Sequence, residues 1–300
     1  MAGELRSLTT PDGATLQYFI DERAPADAGL LVYHHGTPGA GPLDAMLLGA
    51  AREAGLVIVE LVRPGYGGST RMAGRTIADV APLATSLADH LGHERFVTLG
   101  WSGGGPHALA TAALLPDRCA GALSLAGVGP YGEPDLDFLA GMGQDNIDEF
   151  GAALAGAGPL EAYLAAAAEE LADVTPDDIV EQLRSLLPPV DQAAVTGELG
   201  EEMAASLRWS LSTGIWGWFD DDIAFTVPWG FDLASIRVPV AIWQGGQDLM
   251  VPQAHGPWLA ARIPTAVPHL APDEGHISLV AHIAPGIAQL RDWLDHSRAL

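Results

Sequence analysis

The sequence predicts an α/β fold: a mostly parallel, eight-stranded sheet covered by helices on both faces, with one long helical insertion. Three observations carry this. Through residues 29–126 short apolar runs alternate with helix-forming stretches, the pattern of parallel strands joined by crossover helices. One run, Arg95-Phe96-Val97-Thr98-Leu99, breaks sharply at Gly100-Trp101-Ser102-Gly103-Gly104 and passes straight into a helical stretch at Pro106. Strand signal then lapses at about residue 131 and returns at Val238, so the two ends of the intervening segment re-enter one sheet.

In chain order, strands are expected at residues 5–9, 15–21 and 30–34, and a helix follows at 43–54. A strand at 56–62 and a helix at 77–91 lead to the strand at 95–99, its helix from Pro106, and a further apolar strand at 121–126. The clearest helices of the insertion are residues 160–171 and 177–187. The second opens on Thr175-Pro176-Asp177-Asp178, a side-chain cap followed by proline at the first helical position. Strands at 238–244 and 266–270 and a closing helix through Ile283 to Trp293 complete the reading. The expected organisation is a core of residues 1–130 and 233–300 with a helical cap, or lid, at 131–232. The chain has 300 residues, 48% of them hydrophobic, enough for one large core with an insertion.

Glycines flank Ser102 because so tight a strand-to-helix turn forces an unusual backbone conformation and leaves no room for a β-carbon. Its hydroxyl is therefore held above the sheet, with the Gly103 N–H at the start of a helix to receive a developing oxyanion. This arrangement predicts nucleophilic attack on a carbonyl. A second oxyanion donor can come from His35-Gly36-Thr37-Pro38-Gly39, which follows the buried strand ending at His34. Such a stretch also reads as an ordinary glycine-proline loop.

Asp248 follows the strand Val238-Pro239-Val240-Ala241-Ile242-Trp243-Gln244, at the carboxyl edge where catalytic groups of α/β sheets collect. Taken alone it reads equally as a turn former. His276 closes the polar loop after the last strand and serves as candidate base. Of the other histidines, His107, His282 and His269 fall within helices or a strand and read as structural, whereas His34 and His35 adjoin the oxyanion turn. The order Ser102, Asp248, His276 belongs to one particular fold.

On His35-Gly36-Thr37-Pro38-Gly39, Arg63-Pro64-Gly65-Tyr66-Gly67-Gly68-Ser69, Gly100-Trp101-Ser102-Gly103-Gly104, Gly246-Gln247-Asp248 and Gly275-His276, the chain resembles an α/β-hydrolase of the serine-nucleophile branch with a helical cap. The resemblance implies Ser102 as nucleophile, His276 as general base and later acid, and Asp248 as the group that orients the histidine. It also implies an oxyanion hole from Gly36, Thr37 and Gly103. Within the superfamily the two loops are similar to those of proline iminopeptidases and small esterases. The iminopeptidase turn reads HGGPG, where this chain has Thr37, and Val62 stands where such loops carry aspartate. Ser102 argues against the dehalogenase and epoxide hydrolase branches, which use aspartate at the apex. The only cysteine, Cys119, reads as packing.

The net charge is −24, from 38 acidic residues against 14 basic, and no lysine is present. Such a surface excludes nucleic acid and anionic membranes as natural partners. No signal peptide is read at the amino terminus, no apolar run could span a bilayer, and no cysteine cluster or H-E-x-x-H motif suggests a metal. A cytoplasmic monomer or homodimer acting on a small molecule without cofactor is expected. Residues 131–232 hold 21 acidic and two basic residues; solvated helix faces explain them more simply than attraction of a free α-amine. Trp209, Trp216, Trp218, Phe219, Phe225, Trp229 and Phe231 crowd the end of this segment. They can pack it onto the sheet or line an apolar pocket. The candidate substrate-binding residues are His35, Trp101, Trp216, Trp218 and Phe219.

The function expected is cleavage of a small carboxylic ester or amide through an acyl-enzyme on Ser102. The alternatives are an iminopeptidase-like aminopeptidase, a lyase or perhydrolase on the same triad, and a non-catalytic ligand-binding protein.

Overall fold

A computed structural model describes residues 3–25 and 27–297. Met1 and Ala2, which enter the reading of the amino-terminal stretch, and residues 298–300 of the expected core lie outside the described residues. The chain runs β1 (Glu4–Thr9), β2 (Thr15–Ile20), β3 (Gly29–His34), α1 (Ala45–Glu53), β4 (Leu56–Leu61), α2 (Ala81–His90), β5 (Phe96–Trp101), α3 (Gly105–Leu114) and β6 (Cys119–Leu125). Six helices follow: α4 (Gln144–Ala155), α5 (Ala157–Leu171), α6 (Pro176–Gln182), α7 (Pro189–Ala194), α8 (Gly197–Leu211) and α9 (Trp216–Thr226). Then come β7 (Val240–Gly245), α10 (His255–Arg262), β8 (Ala266–Ala271) and α11 (Ala284–Ser297).

The strands form one eight-stranded sheet in the order β1-β2-β4-β3-β5-β6-β7-β8. β2 is antiparallel to both β1 and β4, and every other pair is parallel. The interior strands β3, β6 and β7 are buried throughout, which is why they read as continuous apolar runs rather than alternating ones. β8 is an exposed edge and accommodates Pro268, which has no N–H to give a further strand.

Alternate residues feed two cores. Leu31, Ile58, Val97 and Leu123 pack with Leu47 and Leu48 of α1 and Ile287 and Leu290 of α11. Leu30, Val59, Phe96 and Ala122 pack on the other face with Leu87 of α2 and Leu109 of α3. Burial of each large apolar side chain contributes ~1.5–3 kcal/mol, and this two-sided burial fixes the strand register against slippage.

Local signals set the helix ends. Asp44 caps α1 by accepting from the Leu47 N–H at 2.7 Å. Thr175 and Asp178 form a reciprocal capping box at the start of α6. That helix stops at Gln182, short of the expected residue 187. The chain there turns so that the Ser185 hydroxyl can bond Asp145 at the start of α4, and the proline pair at 188–189 bars continuation. His282 sits in a short 3₁₀ turn at Ser278–His282, ahead of the closing helix.

Most acidic residues of the segment between β6 and β7 are solvated, but Asp191, Asp220, Asp221 and Asp222 are buried. Among the described residues, no helix is long and apolar enough to cross a membrane.

Candidate active site

The sheet's connectivity reverses direction between β3 and β5, since β4 pairs with one side of β3 and β5 with the other. Ligand sites in such sheets lie at the carboxyl ends of strands beside this switch point. Here those ends carry His35-Gly36-Thr37 after β3 and Ser102 after β5.

Ser102 has φ +55°, in the left-handed region that side chains rarely adopt, a strain of ~1–3 kcal/mol that the surrounding structure must hold. Its flanking glycines are obligatory on steric grounds. A β-carbon on Gly100 would lie 2.1 Å from the Gly104 carbonyl oxygen, and one on Gly104 would lie 2.0 Å from the His34 carbonyl oxygen. A β-carbon on Gly36 would come 3.6 Å from that of Ser102, so the turn after β3 abuts the serine. Gly103 begins the turn leading into α3, where backbone N–H groups have no intrahelical partner.

The turn is anchored from behind by Arg63, which is fully buried. Its guanidinium donates to the carbonyls of His35 (2.5 Å) and Gly36 (2.8 Å) and to the Thr37 hydroxyl (2.9 Å). In a trans peptide the following N–H points opposite to the carbonyl. The N–H groups of Gly36 and Thr37 therefore face away from the guanidinium. Arg63 in turn pairs with Asp221 of α9 at 2.7 Å, and Arg75, Tyr66 and Thr37 donate to the same carboxylate. Burial opposes charge on Asp221, yet Arg63 and Arg75 outweigh it and hold its carboxyl well below the usual range.

Asp248 follows β7 and is buried. Its Oδ1 accepts the N–H groups of Met250 (2.9 Å) and Val251 (2.8 Å), and its Oδ2 accepts from Gln244 (3.0 Å) and from His276 Nδ1 (2.8 Å). A carboxylate only accepts, so Nδ1 carries the proton and Nε2 of the neutral ring keeps a free lone pair. Burial lowers the basicity of His276, but the Asp248 charge and hydrogen bond, with a smaller contribution from Asp191, reverse this and leave its pKa above the usual 6.5.

Ser102, His276, Gly36, Thr37 and Gly103 line one cavity of about 310 Å³. Its walls are largely apolar, with Phe150, Leu186 and Phe225 among them. Trp101 and Trp218 also line it, as sequence reasoning expects of two rings. His35, Trp216 and Phe219 do not. His35 is turned into the core, where Nδ1 bonds the Gly36 carbonyl at 2.7 Å and Nε2 accepts the Arg63 N–H at 3.2 Å. Trp216 is 37% exposed, with the Arg71 guanidinium stacked 4.0 Å from its ring and Phe219 packed against its edge.

The cavity also holds carboxylates that sequence reasoning did not single out. Glu149 of α4 accepts from Trp218 Nε1 at 2.7 Å, and burial pushes its pKa up to about 7. Beside it the buried Asp222 of α9 has no donor to either oxygen. Burial, and then the Glu149 charge, push its carboxyl well above the usual range, and a shared proton suits such a pair. The run Asp220-Asp221-Asp222 inside an otherwise apolar helix is the sequence signal that could have found Asp222. Asp220 bonds Arg71 at 2.8 and 2.9 Å, so the three consecutive aspartates face three different neighbours.

The three histidines read as structural from the sequence each have a structural partner, and His34, fully buried, faces the Thr111 hydroxyl at 3.3 Å. His107 Nδ1 bonds the Gly103 carbonyl at 3.0 Å, His269 stacks on Trp243, and His282 pairs with Glu274. The buried Cys119 has its thiol pushed up to about 12 by burial. Among the described residues, no group of three or more His, Cys, Asp or Glu is arranged to hold a metal ion.

The alpha/beta hydrolase family matches residues 31–286. A Bacillus subtilis (strain 168) protein, the uncharacterized hydrolase YcgS, is 30% identical over 109 residues. That stretch is 36% of this chain and 37% of the relative, so the chain aligns with little more than a third of it. A bromoperoxidase from Bacillus anthracis superposes with TM-score 0.70 at 18% identity, covering 97% of this chain and 100% of that one. The esterase RhEst1 from Rhodococcus sp. ECU1013 superposes with TM-score 0.66 at 20% identity, covering 97% and 98%. At these identities the likeness is one of fold.

Proposed function

The chain belongs to the alpha/beta hydrolase family, and from that premise we propose that it is a serine hydrolase that cleaves a small carboxylic ester through an acyl-enzyme. The observation that carries this is Ser102, held at φ +55° and facing the same cavity as His276, whose Nδ1 is bound to the buried Asp248. His276 Nε2 takes the Ser102 proton as the hydroxyl attacks the carbonyl carbon. The oxyanion is met by the N–H groups of Gly36 or Thr37 and Gly103. His276 then gives its proton to the departing alcohol, and a water deprotonated by the same ring releases the acid. Asp248 keeps the ring in the working tautomer and stabilises the imidazolium.

Residues 131–232 act in this reading as a lid over a core made of residues 1–130 and 233–300. The cavity of about 310 Å³ accommodates a small substrate. Initial rates on p-nitrophenyl acetate, butyrate and octanoate, with Ser102→Ala as blank, test the reading; it predicts ester turnover that the variant loses.

A second reading, cleavage of an amide or ester next to a free amine, is favoured by Glu149 and Asp222. Two adjacent carboxylates in an apolar cavity repel each other, and an ammonium group supplies the positive charge that both lack. Proline p-nitroanilide beside its N-acetylated form distinguishes it.

A further inference from the structure

Asp191 is completely buried, and every hydrogen-bond partner recorded for its carboxylate is a backbone N–H of one short stretch. Oδ2 accepts from His276 at 2.8 Å, and Oδ1 accepts from Ile277 at 3.0 Å and Ser278 at 2.8 Å. The three donors are consecutive residues that begin with the histidine itself. Asp191 belongs to α7, in the helical segment between β6 and β7, whereas the residues it grips follow β8. The approach is so close that a β-carbon at 275 would lie 2.4 Å from both carboxylate oxygens. Only glycine at that position admits the carboxylate.

A buried carboxylate is costly unless its lone pairs are met. Three N–H donors meet them here, and they exist in this arrangement only while α7 sits on the loop. The loop gains equally, because its N–H groups would otherwise be left unpaired next to the closing 3₁₀ turn. The side chain of His276 is fixed at one end by Asp248 and its backbone at the other by Asp191.

We propose that Asp191 is a positioning residue for His276: a carboxylate carried by the helical segment that sets the histidine's backbone, so that seating of this segment and competence of the base are one event. This rests on the serine hydrolase reading. Asp191 never touches substrate and acts through His276. Its negative charge also bears on the imidazole, as Asp248 does from the loop after β7. The other acidic groups around the cavity, Asp44 and Glu60 on the core side and Asp145, Glu149, Glu170, Glu202 and Asp222 on α4, α5, α8 and α9, are unchanged in the variants below.

The test uses the full chain with Asp191→Asn, Asp191→Ala and Gly275→Ala, the last keeping the charge but displacing it. Turnover of p-nitrophenyl butyrate is measured from pH 5 to 9, the His276 ring is titrated by NMR, and thermal melting is followed. The expected result is a ~10–100-fold lower kcat with KM within ~2-fold for all three. The midpoint of the acidic limb and of the ring titration should move to lower pH in Asp191→Asn and Asp191→Ala, where an anion beside the base is gone. Folded variants with wild-type kcat, limb and ring titration would overturn the proposal. If Asp191→Ala does not fold, Asp191→Asn and Gly275→Ala decide it by the same readouts. If the wild type shows no turnover dependent on Ser102, the hydrolase reading fails, while the ring titration still decides whether Asp191 sets the histidine.

Discussion

Arg63 and Asp221 meet at 2.7 Å with neither side chain exposed to solvent, and both also bond the Thr37 hydroxyl. The pair therefore joins the turn after β3 to α9, and that turn borders Ser102.

Removing Arg63 leaves the buried Asp221 carboxylate with one guanidinium, that of Arg75, in place of two. Arg63→Ala is expected to destabilise the protein by ~3–5 kcal/mol and to lower kcat, because the carbonyls of His35 and Gly36 lose the group that orients their peptides. Chemical denaturation and steady-state rates on the same preparation check it. Asp221→Asn should weaken the fold most at neutral pH. The carboxyl is held below its unfolded value, so its stabilisation is complete above that value and fades as pH falls through the folded one.

The strained backbone at Ser102 should be separable from its chemistry. Ser102→Gly accepts φ +55° without a β-carbon penalty and is expected to raise stability by ~1 kcal/mol while abolishing turnover. Differential scanning calorimetry of Ser102→Gly beside Ser102→Ala measures this; equal melting temperatures would show that the turn is not strained by the side chain.

The pH dependence of kcat/KM should show an acidic limb above pH 6.5, since His276 must be neutral to accept the serine proton and its pKa is raised. Activity is lost as pH falls through that value. Asp248→Asn is expected to lower kcat by roughly 10³–10⁴-fold by favouring the wrong tautomer, with little change in melting temperature.

Glu149 gives the opposite stability slope. Its pKa rises from 4.5 to about 7 on folding, so the folded state binds more protons between these values and stability declines as pH rises through that window. Glu149→Gln should flatten the decline, as read from denaturation midpoints at pH 5 and pH 8. If the amine reading holds, the same variant should also reduce the preference for a free over an acetylated amine by ~10-fold or more.

The strands and most helices are legible because each announces itself locally. β3 and β6 are apolar apart from His34 and Ser124, and Thr175-Pro176 marks the start of α6 within a few residues. The place of Ser102 is legible because the strand breaks at once into a glycine-flanked turn and a helix; the clash that requires Gly100 is with Gly104, four residues on, whereas the one that requires Gly104 is with the His34 carbonyl at the end of β3. What escaped reading is whatever depends on distant partners. Nothing near Asp191 distinguishes it from the solvated acids around it, because its donors lie 85–87 residues onward. Arg63 stands in plain view in a glycine-rich loop, but its partner Asp221 is 158 residues away. Trp216 and Phe219 were expected at the cavity by ring density alone; Arg71 draws them outward instead.

In α9 the successive residues Asp220, Asp221 and Asp222 serve Arg71, the Arg63 cluster and the cavity in turn. Consecutive side chains on a helix diverge by about 100°, so the three assignments share one rotational phase. Deleting or adding a single residue upstream in this helix would redirect all three at once, breaking the ion pairs of Asp220 and Asp221 and removing Asp222 from the cavity. Substitutions at the cavity's apolar wall can retune what fits there one residue at a time, whereas a change in the length of α9 has no gradual route.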